Sequence, residues 1–150
     1  MSRRRIAIAV SRFNRAVTDN LLEGALEACR ELDVDATEED VFPVPGAFEL
    51  PLIAQQLARS GEYDGIACLG AVVRGETPHF DYVCDHAAAG ILRVSLENEI
   101  PVAFGVLTTE TIAQALARAG GEVGNKGYEA VHTIIDTLDQ LARIEPRRES

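Results

Sequence analysis

The sequence predicts a three-layer α/β fold in which four parallel strands lie between helices on both faces. Short, continuously apolar runs such as Ile6–Val10 and Gly65–Val73 indicate strands that are buried on both sides. The longer segments between these runs carry apolar residues at every third or fourth position, which is typical of amphipathic helices. Because the two kinds of segment alternate over all 150 residues, we expect one doubly wound, flavodoxin-like domain spanning residues 1–150.

Each element follows from a local signal. Apolar runs define the strands, and helical periodicity between N-terminal capping residues and C-terminal glycines defines the helices. The expected strands are Ile6–Val10, Asp40–Val44, Gly65–Val73 and Pro101–Leu107. The first expected helix runs from a cap at Thr18 or Asp19 to Leu32, and the second covers Ala47–Ser60, with Pro51 tolerated near its start. The third runs from Pro78, behind a cap at Thr77, to Asn98. The fourth runs from a cap at Thr108 or Thr109 to Ala119, where Gly120 and Gly121 end it, and the fifth runs from Asn125 to Arg143.

Composition and charge restrict the classes of function. The formal net charge of −10 argues against a nucleic-acid partner. No apolar run is long enough to span a membrane and no signal peptide is visible, so we expect a cytoplasmic protein without a membrane partner. Cys29, Cys68 and Cys84 have neither metal-binding nor redox spacing, and we expect reduced, mostly buried thiols. The basic run Arg3–Arg5 is expected to be solvated.

The stretch from Gly70 to Tyr82 is the most informative for chemistry. A buried strand leads directly into a helix N-terminus, where unpaired backbone N–H groups and the helix dipole favour an anion such as phosphate. His79 in the first turn of that helix adds an imidazole, the side chain best suited to proton transfer near neutral pH. A lone histidine near a helix start is often structural, so the junction alone leaves both interpretations open.

Two other segments also follow the carboxyl ends of predicted strands, which is the edge where parallel sheets bind ligands. Phe13 either stacks on a heteroaromatic ring or folds back onto the core. After the second strand, the small residues Gly46 and Ala47 allow a ligand to approach the backbone closely. Glu49 either accepts hydrogen bonds from ligand hydroxyls or complements the N-terminus of its own helix.

The remaining polar groups are less specific. His79 and His86 are separated by about 10.5 Å along one helix, which is too far for a shared metal ion, and no metal site is expected. Arg118 and Lys126 lie near a predicted helix end and the next helix start, where Arg118 would complement the helix dipole. The glycine-rich stretch around Lys126 lacks the preceding strand and the following Ser or Thr that a phosphate-binding loop requires.

Four segments, taken together, resemble one enzyme family. They are Ser11-Arg-Phe-Asn14, Val44-Pro-Gly-Ala-Phe-Glu-Leu-Pro51, the stretch from Gly70 to Cys84, and the stretch from Pro101 to Thr109 that continues to Arg118-Ala-Gly120 and Gly124-Asn-Lys-Gly127. In their order and spacing they are similar to the 6,7-dimethyl-8-ribityllumazine synthases, the penultimate enzymes of riboflavin synthesis. The resemblance extends from about residue 5 to about residue 143.

This resemblance implies a reaction and a set of site residues. Enzymes of the family condense 5-amino-6-(D-ribitylamino)uracil with 3,4-dihydroxy-2-butanone 4-phosphate and need no cofactor or metal. His79 is implied as the catalytic residue. The implied pyrimidine pocket consists of Phe13, Ala47, Phe48, Glu49, Ala71, Val72 and Val73. Glu76, Thr77 and Arg118 are implied to bind phosphate, with Arg118, Phe104 and, less securely assigned, Lys126 supplied by a neighbouring subunit.

The resemblance also implies self-association. A site shared between subunits requires a closed ring, which in this family is a pentamer. The short connector from Gly120 to Gly127 resembles that of members that form icosahedral shells, so we expect twelve pentamers. Little chain, Met1–Arg4, precedes the first strand, and we expect the N-terminal strand that many members exchange to be short or absent.

Three alternative functions remain open at this point. A riboflavin-forming paralogue would use two lumazines and no butanone phosphate. A non-catalytic shell protein that binds flavin or lumazine would need no phosphate clamp. A flavodoxin-like FMN carrier would satisfy the fold alone.

Overall fold

A single parallel sheet forms the centre of the molecule. The computed structural model describes residues 3–144. The sheet has four strands in the order β2–β1–β3–β4, and every neighbouring pair is parallel. The strands are β1 (Ile6–Ser11), β2 (Val41–Val44), β3 (Gly65–Val73) and β4 (Val102–Thr109). The predicted fold class, a doubly wound sheet with helices on both faces, is confirmed.

Five helices cover the two faces of this sheet. They are α1 (Arg15–Glu31), α2 (Leu50–Arg59), α3 (His79–Asn98), α4 (Ile112–Ala117) and α5 (Lys126–Arg143). In β1, the larger side chains of Ile6, Ile8 and Val10 pack towards α1 and α5. Ala7 and Ala9 face α2 and α3. Both faces of the strand are therefore buried, which explains its continuously apolar sequence. Within residues 3–144, no helix is long and apolar enough to cross a membrane.

The start of α1 differs from the prediction. The helix begins at Arg15 rather than after Thr18 or Asp19, and Thr18 is buried within it. The residue before the helix, Asn14, has the left-handed backbone conformation with φ of 64°. Its side-chain amide donates a hydrogen bond to the Ala71 carbonyl oxygen at 2.9 Å. This contact with β3 holds Asn14 in place, and no local sequence pattern could predict it.

The start of α2 also lies later than predicted. A short 3₁₀ turn, Ala47–Glu49, comes first, and the α-helix begins at Leu50 and ends at Arg59. Pro51 occupies one of the first two helical positions, where its missing N–H costs nothing. In α3, the helix begins at His79, one residue later than predicted.

The segment after β4 contains two corrections. Thr108 and Thr109 belong to the strand and do not cap α4. The N-cap is Thr111, whose side chain accepts from the Gln114 N–H at 3.1 Å while the Gln114 side chain accepts from the Thr111 N–H at 3.2 Å. After α4 the chain forms a small antiparallel hairpin, β5 (Ala119–Gly121) and β6 (Gly124–Asn125), which the sequence analysis missed.

The prediction that Arg3–Arg5 is solvated holds for Arg3, whose side chain is 53% exposed, and only in part for Arg4 and Arg5, whose side chains are 34% and 40% exposed. Arg3 pairs with Asp33 at 3.0 Å and Arg4 with Asp139 at 2.6 Å. The Arg5 guanidinium pairs with Asp40 at 3.2 Å and lies over the Tyr63 ring. These partners are distant in sequence, so the three arginines connect the first strand to other parts of the fold.

The cysteines are buried or partly buried, as predicted. Cys29 and Cys68 are buried and Cys84 is partly buried, and all three are free thiols. Burial raises the pKa of Cys29 to about 11 and that of Cys68 to about 12. Because the thiolate is the reactive form, these two side chains behave as small apolar groups of the core.

Asp40 is a buried carboxylate held by several donors. The Tyr63 hydroxyl donates to Oδ1 at 2.8 Å and the Thr37 N–H donates to Oδ2 at 2.9 Å. Burial alone would raise the pKa of Asp40, but the hydrogen bonds from Thr37 and Tyr63 and the Arg5 guanidinium together lower it below its ordinary value. The ionised form therefore stabilises the fold.

We expect Asp40→Asn to reduce the free energy of unfolding by about 1–3 kcal/mol at pH 7, because a charged acceptor for three groups is lost. A lowered pKa stabilises the native state above the unfolded pKa, about 3.9, and this contribution disappears as pH falls through the folded pKa. Urea unfolding at fixed protein concentration should therefore show the two proteins converging between about pH 5 and pH 2. An equal difference at both ends of this range would contradict the assignment.

Candidate active site

Two clefts open at the carboxyl ends of the strands. The Phe13 cleft has a volume of about 630 Å³ and lies over the ends of β1, β2 and β3, next to the start of α3. The Arg118 cleft has a volume of about 520 Å³ and lies beside β4, between α4 and α5. Predicted site residues line each cleft. In the Phe13 cleft these are Phe13, Ala47, Phe48, Glu49, Ala71, Val72, Val73, Thr77 and His79, and in the Arg118 cleft they are Phe104, Arg118 and Lys126.

Phe13 stands at the mouth of its cleft. Its backbone N–H donates to the Pro45 carbonyl oxygen at 3.1 Å, and the Arg12 N–H donates to the Val44 carbonyl oxygen at 2.8 Å. These bonds fix the loop after β1 against the loop after β2. The Phe13 side chain remains 69% exposed. The ring is therefore not packed into the core, and it is free to stack on a planar ligand.

The floor of the Phe13 cleft is made of backbone and small side chains. The 3₁₀ turn places Ala47 in the interior and leaves Phe48 exposed. Opposite the turn, Ala71 is buried and the last residues of β3 become partly exposed. This part of the cleft is mostly apolar, with Glu49 as its carboxylate, and it suits a flat ring with a polar edge.

The loop between β3 and α3 carries unpaired donors. Within residues 3–144, no protein acceptor pairs with the backbone N–H groups of Gly75, Glu76 or Thr77. Thr77 accepts weakly from the His79 N–H through its hydroxyl, at 3.4 Å. Glu76 is exposed and, unlike Gly75 and Thr77 on either side, it does not line the cleft. Successive free N–H groups beside a helix start are well suited to an anion.

His79 lies in the first turn of α3, is exposed, and lines the Phe13 cleft beside these donors. His86 lies outside the cleft, with Nδ1 2.8 Å from the Tyr82 carbonyl oxygen. Across the described part of the chain, no three His, Cys, Asp or Glu side chains converge as metal ligands would.

Two cationic side chains, Arg118 and Lys126, line the Arg118 cleft, and the hairpin brings them together. Arg118 follows α4 directly, and its Nη1 donates to the Gln114 carbonyl oxygen at 3.1 Å. The Lys126 N–H donates to the Arg118 carbonyl oxygen at 2.8 Å, so the hairpin closes with the two residues adjacent. Phe104, on β4, is 36% exposed and forms part of the wall.

The sequence analysis missed several lining residues. Phe80 and Tyr82 line the Phe13 cleft, and Glu110 and Glu129 line the Arg118 cleft. Phe80 and Tyr82 follow His79 within one helical turn, and Glu129 lies three residues after Lys126 on α5. The i+3 spacing from His79 and from Lys126 could have identified Tyr82 and Glu129, whereas no such signal points to Phe80 or Glu110.

A comparison with known proteins gives these clefts a context. Residues 3–142 match the family model described as 6,7-dimethyl-8-ribityllumazine synthase. The chain belongs to this lumazine synthase family. The predicted resemblance is therefore confirmed over nearly the whole chain.

Individual lumazine synthases are similar to the chain at high identity. The enzyme of Protochlamydia amoebophila is 55% identical over 139 residues, which cover 93% of this chain and 81% of the relative. That of Salinibacter ruber is 51% identical over 141 residues, covering 94% and 90%. That of Coxiella burnetii is also 51% identical over 141 residues, covering 94% and 93%. All three carry the name 6,7-dimethyl-8-ribityllumazine synthase.

Proposed function

We propose that the protein is a transferase of riboflavin biosynthesis that condenses 5-amino-6-(D-ribitylamino)uracil with 3,4-dihydroxy-2-butanone 4-phosphate. The products are 6,7-dimethyl-8-ribityllumazine, phosphate and water. The observation that carries the proposal is the match of residues 3–142 to the lumazine synthase family. Its substrates are small molecules, and the family implies an oligomeric assembly.

The Phe13 cleft is proposed to bind the pyrimidine. The exposed Phe13 ring supplies a stacking surface, and the turn Ala47–Glu49 offers backbone groups and one carboxylate for the polar edge and the ribityl hydroxyls. The end of β3, at Ala71–Val73, forms the opposite wall.

The phosphate is proposed to bind at the junction between β3 and α3. The free N–H groups of Glu76 and Thr77 would donate to its oxygens, and the guanidinium of an Arg118 would neutralise its charge. Arg118, Lys126 and Phe104 line a different cleft of the same chain. We therefore propose that a neighbouring copy supplies them, so that each active site combines two half-sites.

His79 is proposed to transfer protons. The amine of the pyrimidine attacks the ketone and forms an imine with loss of water, and the phosphate is then eliminated. Attack of the ribitylamino nitrogen on the carbonyl that this elimination generates closes the pyrazine ring with loss of a second water. Orientation of two substrates accounts for most of the catalysis in such a sequence. His79 lines the same cleft as Thr77 and the end of β3, so its imidazole would lie within the site in which we propose that the proton transfers occur.

The test of the reaction is phosphate release by the purified protein. Release that requires both substrates together supports the proposal. A riboflavin-forming paralogue would instead consume the lumazine and release no phosphate, and a non-catalytic shell protein would bind ligand without turnover. An FMN carrier would be yellow when purified and would show redox activity.

We expect His79→Ala to lower kcat by about 10- to 100-fold. The effect is moderate because a reactive amine can form an imine with water as the proton carrier. The matched control is His86→Ala, since His86 is exposed on the same helix but outside the cleft. Equal turnover of His79→Ala and the wild type in steady-state assays would remove His79 from the mechanism.

We propose a pentamer that associates further into a shell of twelve pentamers. Large apolar side chains on α2 and α3 support self-association, because Leu52, Leu92 and Leu96 are 70%, 59% and 69% exposed in the single chain. Higher salt should favour the shell by screening the charge of −10 per chain. Light scattering and electron microscopy at low and high salt measure this. Pentamers alone under both conditions would refute the shell, and an active monomer would refute the shared site.

A further inference from the structure

Arg74 connects the ends of two strands to the first turn of α3. Its Nε pairs with Glu110 Oε2 at 2.7 Å, and its Nη2 pairs with Asp81 Oδ1 at 3.3 Å. The guanidinium also stacks over the Phe80 ring, with 4.5 Å between Cζ and the ring centroid. Its backbone N–H donates to the Thr109 carbonyl oxygen at 2.9 Å. One side chain therefore contacts the residue after β4 and two successive residues of α3.

The loop that these contacts span has little other support. Residues 74–78 join β3 to α3, and within the described residues the N–H groups of Gly75, Glu76 and Thr77 have no protein acceptor. The first turn of α3 is closed by bonds from the Asp81 and Tyr82 N–H groups to the Pro78 carbonyl oxygen. At this end of α3, the side chain of Arg74 contacts both Phe80 and Asp81 and connects them to the residue after β4.

We propose that Arg74 is a positioning residue for the phosphate loop and for His79. The proposal rests on the proposed function, because it assumes that the butanone phosphate binds at this loop. Arg74 itself does not line either cleft, so it acts through the residues that it holds. Its planar guanidinium can pair with two carboxylates and stack on a ring at the same time, which a lysine cannot do.

Because these ion pairs are exposed, an effect of Arg74 on the position of the loop can be distinguished from an effect on the stability of the whole fold. Arg74 is 42% exposed, and Asp81 and Glu110 are 56% and 62% exposed. Pairs so accessible to water contribute little to the stability of the whole fold. Loss of Arg74 should therefore change the local geometry of the loop while the melting temperature falls by less than about 4 °C.

The experiment compares Arg74→Gln with the wild type and with Arg93→Gln. Arg93 forms an exposed ion pair with Glu97 within α3, and neither residue lines a cleft. The Arg93→Gln substitution therefore removes the same charge as Arg74→Gln at a position outside both clefts. We expect Arg74→Gln to raise KM for the butanone phosphate about 3- to 10-fold and KM for the pyrimidine less than about twofold, since none of the three residues that the Arg74 guanidinium contacts belongs to the proposed pyrimidine wall. Arg74→Lys should give an intermediate value, and Arg93→Gln should match the wild type.

A second measurement does not depend on activity. Amide hydrogen exchange at Asp81 and Tyr82 should be at least about threefold faster in Arg74→Gln, because the first turn of α3 then opens more often. Unchanged exchange together with unchanged KM would overturn the proposal. An equal rise in both KM values with a large drop in melting temperature would also overturn it, by showing a structural role. A wild type without phosphate release would refute the proposed function, and hydrogen exchange would still decide the role of Arg74.

Discussion

Gly127→Ala is expected to destabilise the protein by about 3 kcal/mol or more. Gly127 is buried where the first turn of α5 crosses α1. A Cβ at this position would overlap the carbonyl oxygen of Leu21 and lie 2.7 Å from its carbonyl carbon. These atoms belong to the backbone of α1, so no side-chain rotation can relieve the overlap. The helices would have to separate, and the Asn125 cap, which accepts from the Gly127 and Tyr128 N–H groups, would be disturbed.

The control for this prediction is Gly75→Ala. A Cβ at Gly75 would meet nothing within 4 Å, and its backbone does not have a positive φ. Chemical unfolding of both variants at one protein concentration should show a large loss for Gly127→Ala and a change within about 1 kcal/mol for Gly75→Ala. If both variants unfold like the wild type, α1 and α5 are not packed as closely as described.

Arg118→Ala is expected to lower kcat/KM for the butanone phosphate by about 100-fold or more. Loss of a charge-assisted hydrogen bond costs about 1.5–3 kcal/mol, and a guanidinium can form two such bonds to one phosphate. The net charge of −10 increases the effect, because a chain of this charge repels a dianion more strongly once the local cation is removed. Steady-state kinetics with each substrate varied separately measures this.

Two further variants, Arg118→Lys and Arg30→Ala, test whether the loss of activity is due to the guanidinium of Arg118 at this position. The lysine variant keeps the charge but not the two-pronged geometry, so its loss should be smaller than that of Arg118→Ala and should affect the butanone phosphate more than the pyrimidine. Arg30 lies in the last turn of α1, is exposed and lines neither cleft. Arg30→Ala is therefore a control that removes the same charge as Arg118→Ala outside both clefts. Equal weakening of both substrates by Arg118→Lys would indicate a structural role for Arg118 instead.

The sequence predicted the strands well because their signals are local. The β3 boundaries, Gly65–Val73, were predicted to the residue, since a continuous apolar run has few other interpretations. The Arg143 end of α5 was also predicted, and the helix begins at Lys126, one residue after the predicted Asn125, which is its N-cap. The match to the lumazine synthase family likewise rests on sequence alone.

Contacts between distant residues decided the features that the prediction missed. The Asn14 side chain donates a hydrogen bond to the Ala71 carbonyl oxygen at the start of α1, and Arg5 pairs with Asp40 from a segment expected to be solvated.

The hairpin after α4 depends on Gly120 and Gly124, with φ of 95° and 107°, which glycine adopts at little cost. A glycine pair in the sequence indicates a break, but it does not show which backbone conformation follows.

By itself, the sequence determined the layer order, the edge of the sheet at which the two clefts open, and the residue types available there. These follow from periodicity and from the rule that parallel sheets bind ligands at the carboxyl ends of their strands. Only the tertiary structure decided that Phe13 and His79 share one cleft while Arg118 and Lys126 line another. The hairpin brings Arg118 beside Lys126, and it is joined to α1 by contacts between residues about a hundred positions apart, which no local sequence pattern reveals.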